Sequence, residues 1–249
     1  MVPSLKSAIA ALSLALALVS NPGNAAAITL SPDADSYVQK GAATTNFGNA
    51  VGLVIKDSGT GTTTRHAYIR FDVSGLVLSH LVAASLDLTV EARNDGGGPQ
   101  QNYTVQVWGL NNGHAGEAWV EGNGNADNNP AGEIIWSNAP ANDTANNNFI
   151  GAQATQLASF TVLGTADPGD VYSISGASLV NFLQADTNGL VTLMLRRVGG
   201  NGSNNLSFAS KESKVRSAAA LNLTIVPEPA TGLLGLLGMA MLGRRRRAA

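Results

Sequence analysis

From Ser85 to Ala92 the chain alternates, with Leu86, Leu88, Val90 and Ala92 on one side and Ser85, Asp87, Thr89 and Glu91 on the other. A period of two puts one set of side chains in a core and the other in water, so the segment predicts a β-strand. Leu221, Leu223 and Ile225 opposite Asn222 and Thr224 repeat the pattern, as do Ile69, Phe71 and Val73 opposite Tyr68, Arg70 and Asp72. Further strands are predicted at Ser36–Gln39, Val51–Lys56, Asn102–Leu110, Glu133–Trp136, Gln156–Val162, Asp170–Ile174, Leu190–Arg196 and Leu206–Ser210. Only Ala177–Ala185 reads as a helix: Leu179, Val180, Phe182 and Leu183 form an apolar stripe, with Ser175 as its candidate cap. Asn/Gly clusters at 94–98, 121–130, 141–148 and 199–205 punctuate these pieces. There is no internal repeat and no dividing linker. Short strands separated by turns predict an all-β fold, an antiparallel β-sandwich of the jelly-roll kind with one short helix.

Both ends fall outside that pattern. Residues 1–27 read as a signal peptide: Lys6 is the positive n-region and Ala8–Val19 is a 12-residue apolar core. Asn21-Pro22-Gly23 breaks any helix, and Ala25-Ala26-Ala27 supplies the small side chains that signal peptidase needs, with Ala27 at the cut. A permanent anchor would need about 20 apolar residues. At the other end, Val226-Pro227-Glu228-Pro229 precedes the apolar stretch 230–243 and then Arg244, Arg245, Arg246 and Arg247. As a helix those 14 residues reach about 21 Å, short of the ~30 Å hydrocarbon core unless the membrane thins or the arginines snorkel. The arginines would stay cytoplasmic and leave the body outside.

Pro227, Glu228, Pro229, the short apolar helix and the terminal arginine cluster resemble, in that order, a PEP-CTERM protein-sorting signal. The resemblance implies transient membrane insertion, recognition by an exosortase and cleavage near the Pro-Glu-Pro. It further implies release or attachment at the surface of a Gram-negative, exopolysaccharide-producing, biofilm-forming bacterium.

The body is then 28–226, carrying 10 basic and 16 acidic residues, a net charge near −6. That balance argues against nucleic acid as a partner, whose backbone is gripped by clustered Lys and Arg. Gly and Asn make up 51 of the 249 residues, which disfavours a helical bundle. With no Cys, an exported body has no disulfides and must be held by its core, with structural calcium as a candidate addition.

A second resemblance rests on ordered blocks: Asp35-Ser36-Tyr37-Val38, Asn46-Phe47-Gly48, Tyr68-Ile69-Arg70-Phe71-Asp72, Val105-Gln106-Val107-Trp108, Trp119-Val120-Glu121, Trp136-Ser137-Asn138-Ala139-Pro140, Tyr172-Ser173-Ile174 and Ser207–Ser213. Their succession resembles the DNRLRE-type domain, carbohydrate-binding module family 96, over nearly all of the body. The insert 122–129 stretches one interval relative to that family. The resemblance implies a jelly-roll module binding extracellular polysaccharide, with acidic glycans such as alginate among the family's ligands.

For an acidic glycan the side chains of choice are Arg forks and Lys ammonium groups. Lys40, Arg65, Arg70 and Lys211, with Tyr68 beside Arg70 on the non-core face, form the candidate glycan patch. The competing reading makes Arg70 and Asp72 a structural ion pair and leaves the others solvated. Trp108, Trp119 and Trp136 offer stacking surfaces, although large aromatics in a sandwich are more often structural. Asp33, Asp35 and Asn46 supply hard oxygens for a candidate Ca²⁺ site, as does the insert 123–128, but ordinary turn chemistry explains the same residues. His66, His80 and His114 lack zinc-ligand spacing.

No G-x-S-x-G, P-loop, H-E-x-x-H or dinucleotide signature is present. The expected protein is therefore a non-catalytic polysaccharide binder of the bacterial surface or matrix. The alternatives are a structural matrix or adhesion protein and, less favoured, a polysaccharide lyase or glycosidase.

Overall fold

Leu86, Leu88 and Val90 are fully buried, as the alternation requires, but Ala92 is exposed. The cause is a bulge. Phe208 faces Val90 and Ser207 faces Ala92, so one extra residue on the longer strand reverses its faces. Beyond it Arg93, not Ala92, turns inward and lies 4.8 Å over the Tyr103 ring.

The computed structural model describes residues 25–59, 61–95, 100–124, 132–199 and 204–226, and the backbone of 127–128. The expected tail 227–249, and the signal segment as far as residue 24, lie outside the described residues. The strands are β1 (Ala26–Leu30), β2 (Ala34–Gln39), β3 (Thr45–Asn46), β4 (Gly52–Ile55), β5 (Arg65–Asp72), β6 (Leu81–Asn94), β7 (Tyr103–Leu110) and β8 (Asp127–Asn128). They continue with β9 (Asn142–Asp143), β10 (Asn148–Phe149), β11 (Ala154–Val162), β12 (Val171–Ser175), β13 (Leu190–Val198), β14 (Asn205–Ala209) and β15 (Ala220–Ile225), with helix α1 (Ala177–Gln184) between β12 and β13.

Two antiparallel sheets form the sandwich. One runs β11-β7-β13-β5-β2; the other runs β1-β15-β6-β14-β4, with β12 on the far side of β6. From β4 to β7, and again from β11 to β14, the chain passes back and forth between the sheets, the wrapping of a jelly roll. Ile69, Phe71, Val105, Val107, Leu193 and Leu195 of the first sheet meet Leu86, Leu88, Val90, Phe208, Leu221 and Leu223 of the second. Each fully buried side chain of this kind contributes about 1.5–3 kcal/mol. Leu179 and Leu183 of α1 join this core.

Two local expectations change. Glu133–Trp136 forms no strand, making only a bridge from Glu133 to Val120. Its apolar run arises because Ile134 and Trp136 fill a core from a loop, and Ile135 is also buried. Ser175 does not cap α1: Gly176 occupies that position at φ 145°, with no side-chain cap bond. Strand β1 includes Ala26 and Ala27, paired with Ile225 and Thr224.

A second core lies apart from the first. The described parts of the connection between β7 and β11 fold across the outer face of the first sheet, burying Tyr68, Met194, Leu110 and Val38 beneath Trp119, Ile134, Trp136 and Phe149. Alternation correctly sends Tyr68 away from the inter-sheet core, yet it is 0 % exposed because this layer covers it.

Among the described residues no helix is long and apolar enough to cross a membrane.

Candidate functional site

The basic side chains proposed from sequence divide between the two ends of β5. Arg65 and Arg70 are five residues apart on one strand, so roughly 17 Å separates them at ~3.3 Å per residue.

At the Arg70 end, charge is neutralised. Arg70 Nε donates to Asp33 Oδ2 at 3.0 Å and Nη2 to the same oxygen at 2.7 Å. Nη1 donates to the Trp119 carbonyl, and the guanidinium lies 5.2 Å over the Trp119 ring. The partner is Asp33, not Asp72, whose carboxylate accepts from the Ser74 amide instead. Asp33, Arg70, Trp119 and Glu121 line an open cleft of about 400 Å³.

Next to this pair, three carboxylates converge from three parts of the chain. Asp35 comes from β2, where it is fully buried, Glu121 from the long connection, and Glu212 from the turn after β14. One oxygen of each lies within 4.8 Å of the others. The Asp35 amide donates to Glu121 Oε1 at 3.0 Å, and the Lys211 amide donates to Asp35 Oδ2 at 2.8 Å. The Lys211 ammonium is 2.5 Å from Glu121 Oε2, 4.0 Å from Glu212 Oε1, and donates to the Asp33 carbonyl at 3.2 Å. Burial, with Glu212 and Glu121 adding to it and the Lys211 amide opposing it, pushes the Asp35 carboxyl up to about 8. Burial also raises Glu121, against the bond from Lys211. Lys211 is held above the usual lysine range: burial opposes this, but the bond and charge of Glu121 outweigh it.

The three calcium ligands proposed from sequence are engaged separately. Asp33 is taken by Arg70, and Asn46 is fully used in folding. Its amide donates to the carbonyls of Glu121 and Ile134, and its Oδ1 accepts from Gly48 and Gly124. Of the insert 123–128, residues 125–126 lie outside the described residues. Only Asp35 belongs to the carboxylate group; Glu121 and Glu212 were missed.

The Arg65 end is different. Lys56 and Arg65 pair main chain to main chain at 3.0 and 3.1 Å, extending the approach of β4 to β5. Arg65 donates to the neutral amides of Gln39 at 2.7 Å and Asn205 at 3.4 Å, and lies 5.8 Å over Tyr37. The Lys40 ammonium donates to Asn147 Oδ1 at 2.8 Å, and its own amide bonds Thr64, the neighbour of Arg65. Arg197 is buried beneath, donating to the carbonyls of Asn204 and Asp57 at 2.7 and 3.1 Å. Burial, then Arg65 and Arg197, press the Lys56 ammonium below the usual lysine range. Lys40, Lys56 and Arg65 form no ion pair among the described residues. Lys56 was missed; its signal was there in a strand ending on Lys56 opposite one beginning at Arg65.

Of the other residues, Tyr68 is covered and offers no contact surface. Trp119 and Trp136 are buried, and Trp119 Nε1 donates to Thr192 at 3.1 Å, consistent with structural roles. Trp108 is half-buried. Ala27 lies in β1, while Pro227, Glu228, Pro229 and Arg244–Arg247 fall outside the described residues.

Jelly-roll sandwiches of this kind include lectin domains, and the two ends of this one differ in charge. The chain matches the model of carbohydrate-binding module family 96 over residues 26–225, and it belongs to that family. Carbohydrate binding is thus its family-level property, and families of such modules are generally non-catalytic. No curated protein matches the chain.

Proposed function

We propose that this is an exported, non-catalytic protein that binds an acidic polysaccharide through its Lys40–Lys56–Arg65 end. The observation that carries the reading is that the half-buried Lys40 and Arg65 bond neutral amide oxygens and no carboxylate, with Lys56 crowded by Arg65 and Arg197 beside them. Such crowding disfavours the charged form unless an anion joins it. A chain of uronate carboxylates supplies anions at regular spacing, and Arg65 offers a planar fork to pair with one. Arg70 and Lys211 leave the patch because Asp33 and Glu121 already neutralise them.

The signal segment 1–27 and the 227–249 tail support export followed by exosortase sorting to the surface or matrix. Replacing Arg244–Arg247 with serine is expected to leave the tail uncut, read as a heavier band in the membrane fraction.

The test of binding is retention on polyuronate and on neutral glucan matrices across a salt series. Retention on polyuronate that weakens with salt supports the reading, because screened charges lose their attraction. A folded sample retained on no glycan would instead indicate a structural matrix or adhesion protein.

A further inference from the structure

We propose that Asp35, Glu121 and Glu212, with the main-chain oxygen of Asp33, form a Ca²⁺ site that ties together β2, the long connection and the turn after β14. The proposal does not depend on the glycan reading.

The first observation is the spacing. Ca²⁺ binds oxygen at 2.3–2.6 Å, so two ligands on opposite sides of one ion stand about 4.6–5.2 Å apart. One oxygen from each carboxylate, all within 4.8 Å of one another, fits around a single such ion.

The second is unmet bonding. Asp35 is 0 % exposed, its Oδ1 accepts no hydrogen bond, and Glu212 Oε2 is likewise buried without a partner among the described residues. A buried acceptor left unserved costs free energy, and two in one group of three carboxylates call for a cation.

The third is the behaviour of Lys211. Its ammonium already sits against Glu121 Oε2 and the Asp33 carbonyl, marking a place lined with hard oxygens. One positive charge against three carboxylates leaves Asp35 Oδ1 and Glu212 Oε2 unserved. With its side chain 30 % exposed, Lys211 has a way out to solvent when a divalent ion takes its place.

The donor set then selects the metal. Among the described residues the potential ligand atoms that converge here are oxygens, with no His or Cys, which suits a hard cation. Ligands drawn from three distant segments suit the flexible shell of Ca²⁺ better than the strict octahedron of Mg²⁺.

The test uses the exported protein, stripped with EDTA and titrated with CaCl₂ alone, by calorimetry and thermal unfolding. One ion per chain is expected, with Tm rising by ~5 °C at saturating Ca²⁺ and not in equal MgCl₂ or NaCl. Glu212→Gln keeps the side chain's shape, so it should keep its Tm in EDTA yet lose most of the rise. Lys211→Met guards against misfolded variants: with the competing ammonium gone, Ca²⁺ should bind about tenfold more tightly, for want of like-charge repulsion. No heat and no Tm change in the wild-type protein would overturn the site. So would an equal rise in Glu212→Gln, or with Mg²⁺.

Discussion

Arg70 and Asp33 are joined by two hydrogen bonds to one carboxylate oxygen, at 2.7 and 3.0 Å, with the guanidinium 5.2 Å over the Trp119 ring. An arginine that strand alternation sends outward thus clamps the layer lying on its sheet. Asp33→Asn keeps an acceptor but loses the charge, and should cost about 1 kcal/mol in urea unfolding, since the pair is partly exposed. Arg70→Ala also loses its bond to Trp119, and should cost about 2 kcal/mol. Polyuronate retention should fall less than twofold in both. A large loss of retention with stability intact would put Arg70 back in the binding patch.

How far this was legible in the sequence depends on which force set each residue's place. Leu86, Leu88, Leu221 and Leu223 were readable because one core face imposes the period of two. Beyond the bulge the same rule misplaced Ala92, since the extra residue shows only in pairing with β14. Alternation reports that Tyr68 leaves the inter-sheet core; it carries no information about a second layer supplied by the connection between β7 and β11. The carboxylate group was invisible for a related reason: Asp35 and Glu121 lie 86 residues apart, and Asp35 and Lys211 176. Candidate metal ligands close to each other in sequence, Asp33 and Asn46, found nearer partners in Arg70 and the main chain.

Lys56 separates stability from recognition. Buried and facing Arg65 and Arg197, its charge opposes folding below about pH 10, where the unfolded lysine keeps its proton. Lys56→Met fills the same volume without the charge and should stabilise the protein by about 1 kcal/mol. The same change should weaken polyuronate retention several-fold and flatten its salt dependence, with Arg65→Gln acting in the same direction on binding. A variant that gains stability and keeps full retention would remove Lys56 from the site.

His66 gives the fold an acid limit. Its ring lies 4.6 Å from Phe149 and 5.1 Å from Trp136, with Nδ1 3.0 Å from Asn142 Oδ1. Burial, partly opposed by the Asn142 bond, lowers its pKa to about 4 from the 6.5 of a free side chain. Above pH 6.5 both states are neutral here and the full stability is present. Between 6.5 and 4 the unfolded chain takes up a proton that the folded chain refuses, so stability falls with pH. From pH 7 to pH 5 this one residue should remove roughly 2 kcal/mol. Asp35, with its raised pKa, acts in the opposite direction. The comparison to make is therefore between the wild-type protein and His66→Gln by urea unfolding at both pH values, and equal losses in the two would contradict the assignment.

Gly109 and Phe182 should prove to be coupled. Gly109 sits on β7 opposite Leu193 and Thr155, and a Cβ there would come within 2.3 Å of the Phe182 ring on α1. The helix reaches the sheet only because this strand position lacks a side chain. Gly109→Ala must push the half-buried Phe182 ring aside, at a cost of about 1–3 kcal/mol. Phe182→Ala removes the obstacle. In that background the same glycine change should cost less than about 0.5 kcal/mol, because alanine forms a strand more readily than glycine. A double-mutant cycle by urea unfolding measures the difference directly. Additive costs would mean that α1 is held by Leu179 and Leu183 alone and that the glycine serves some other constraint.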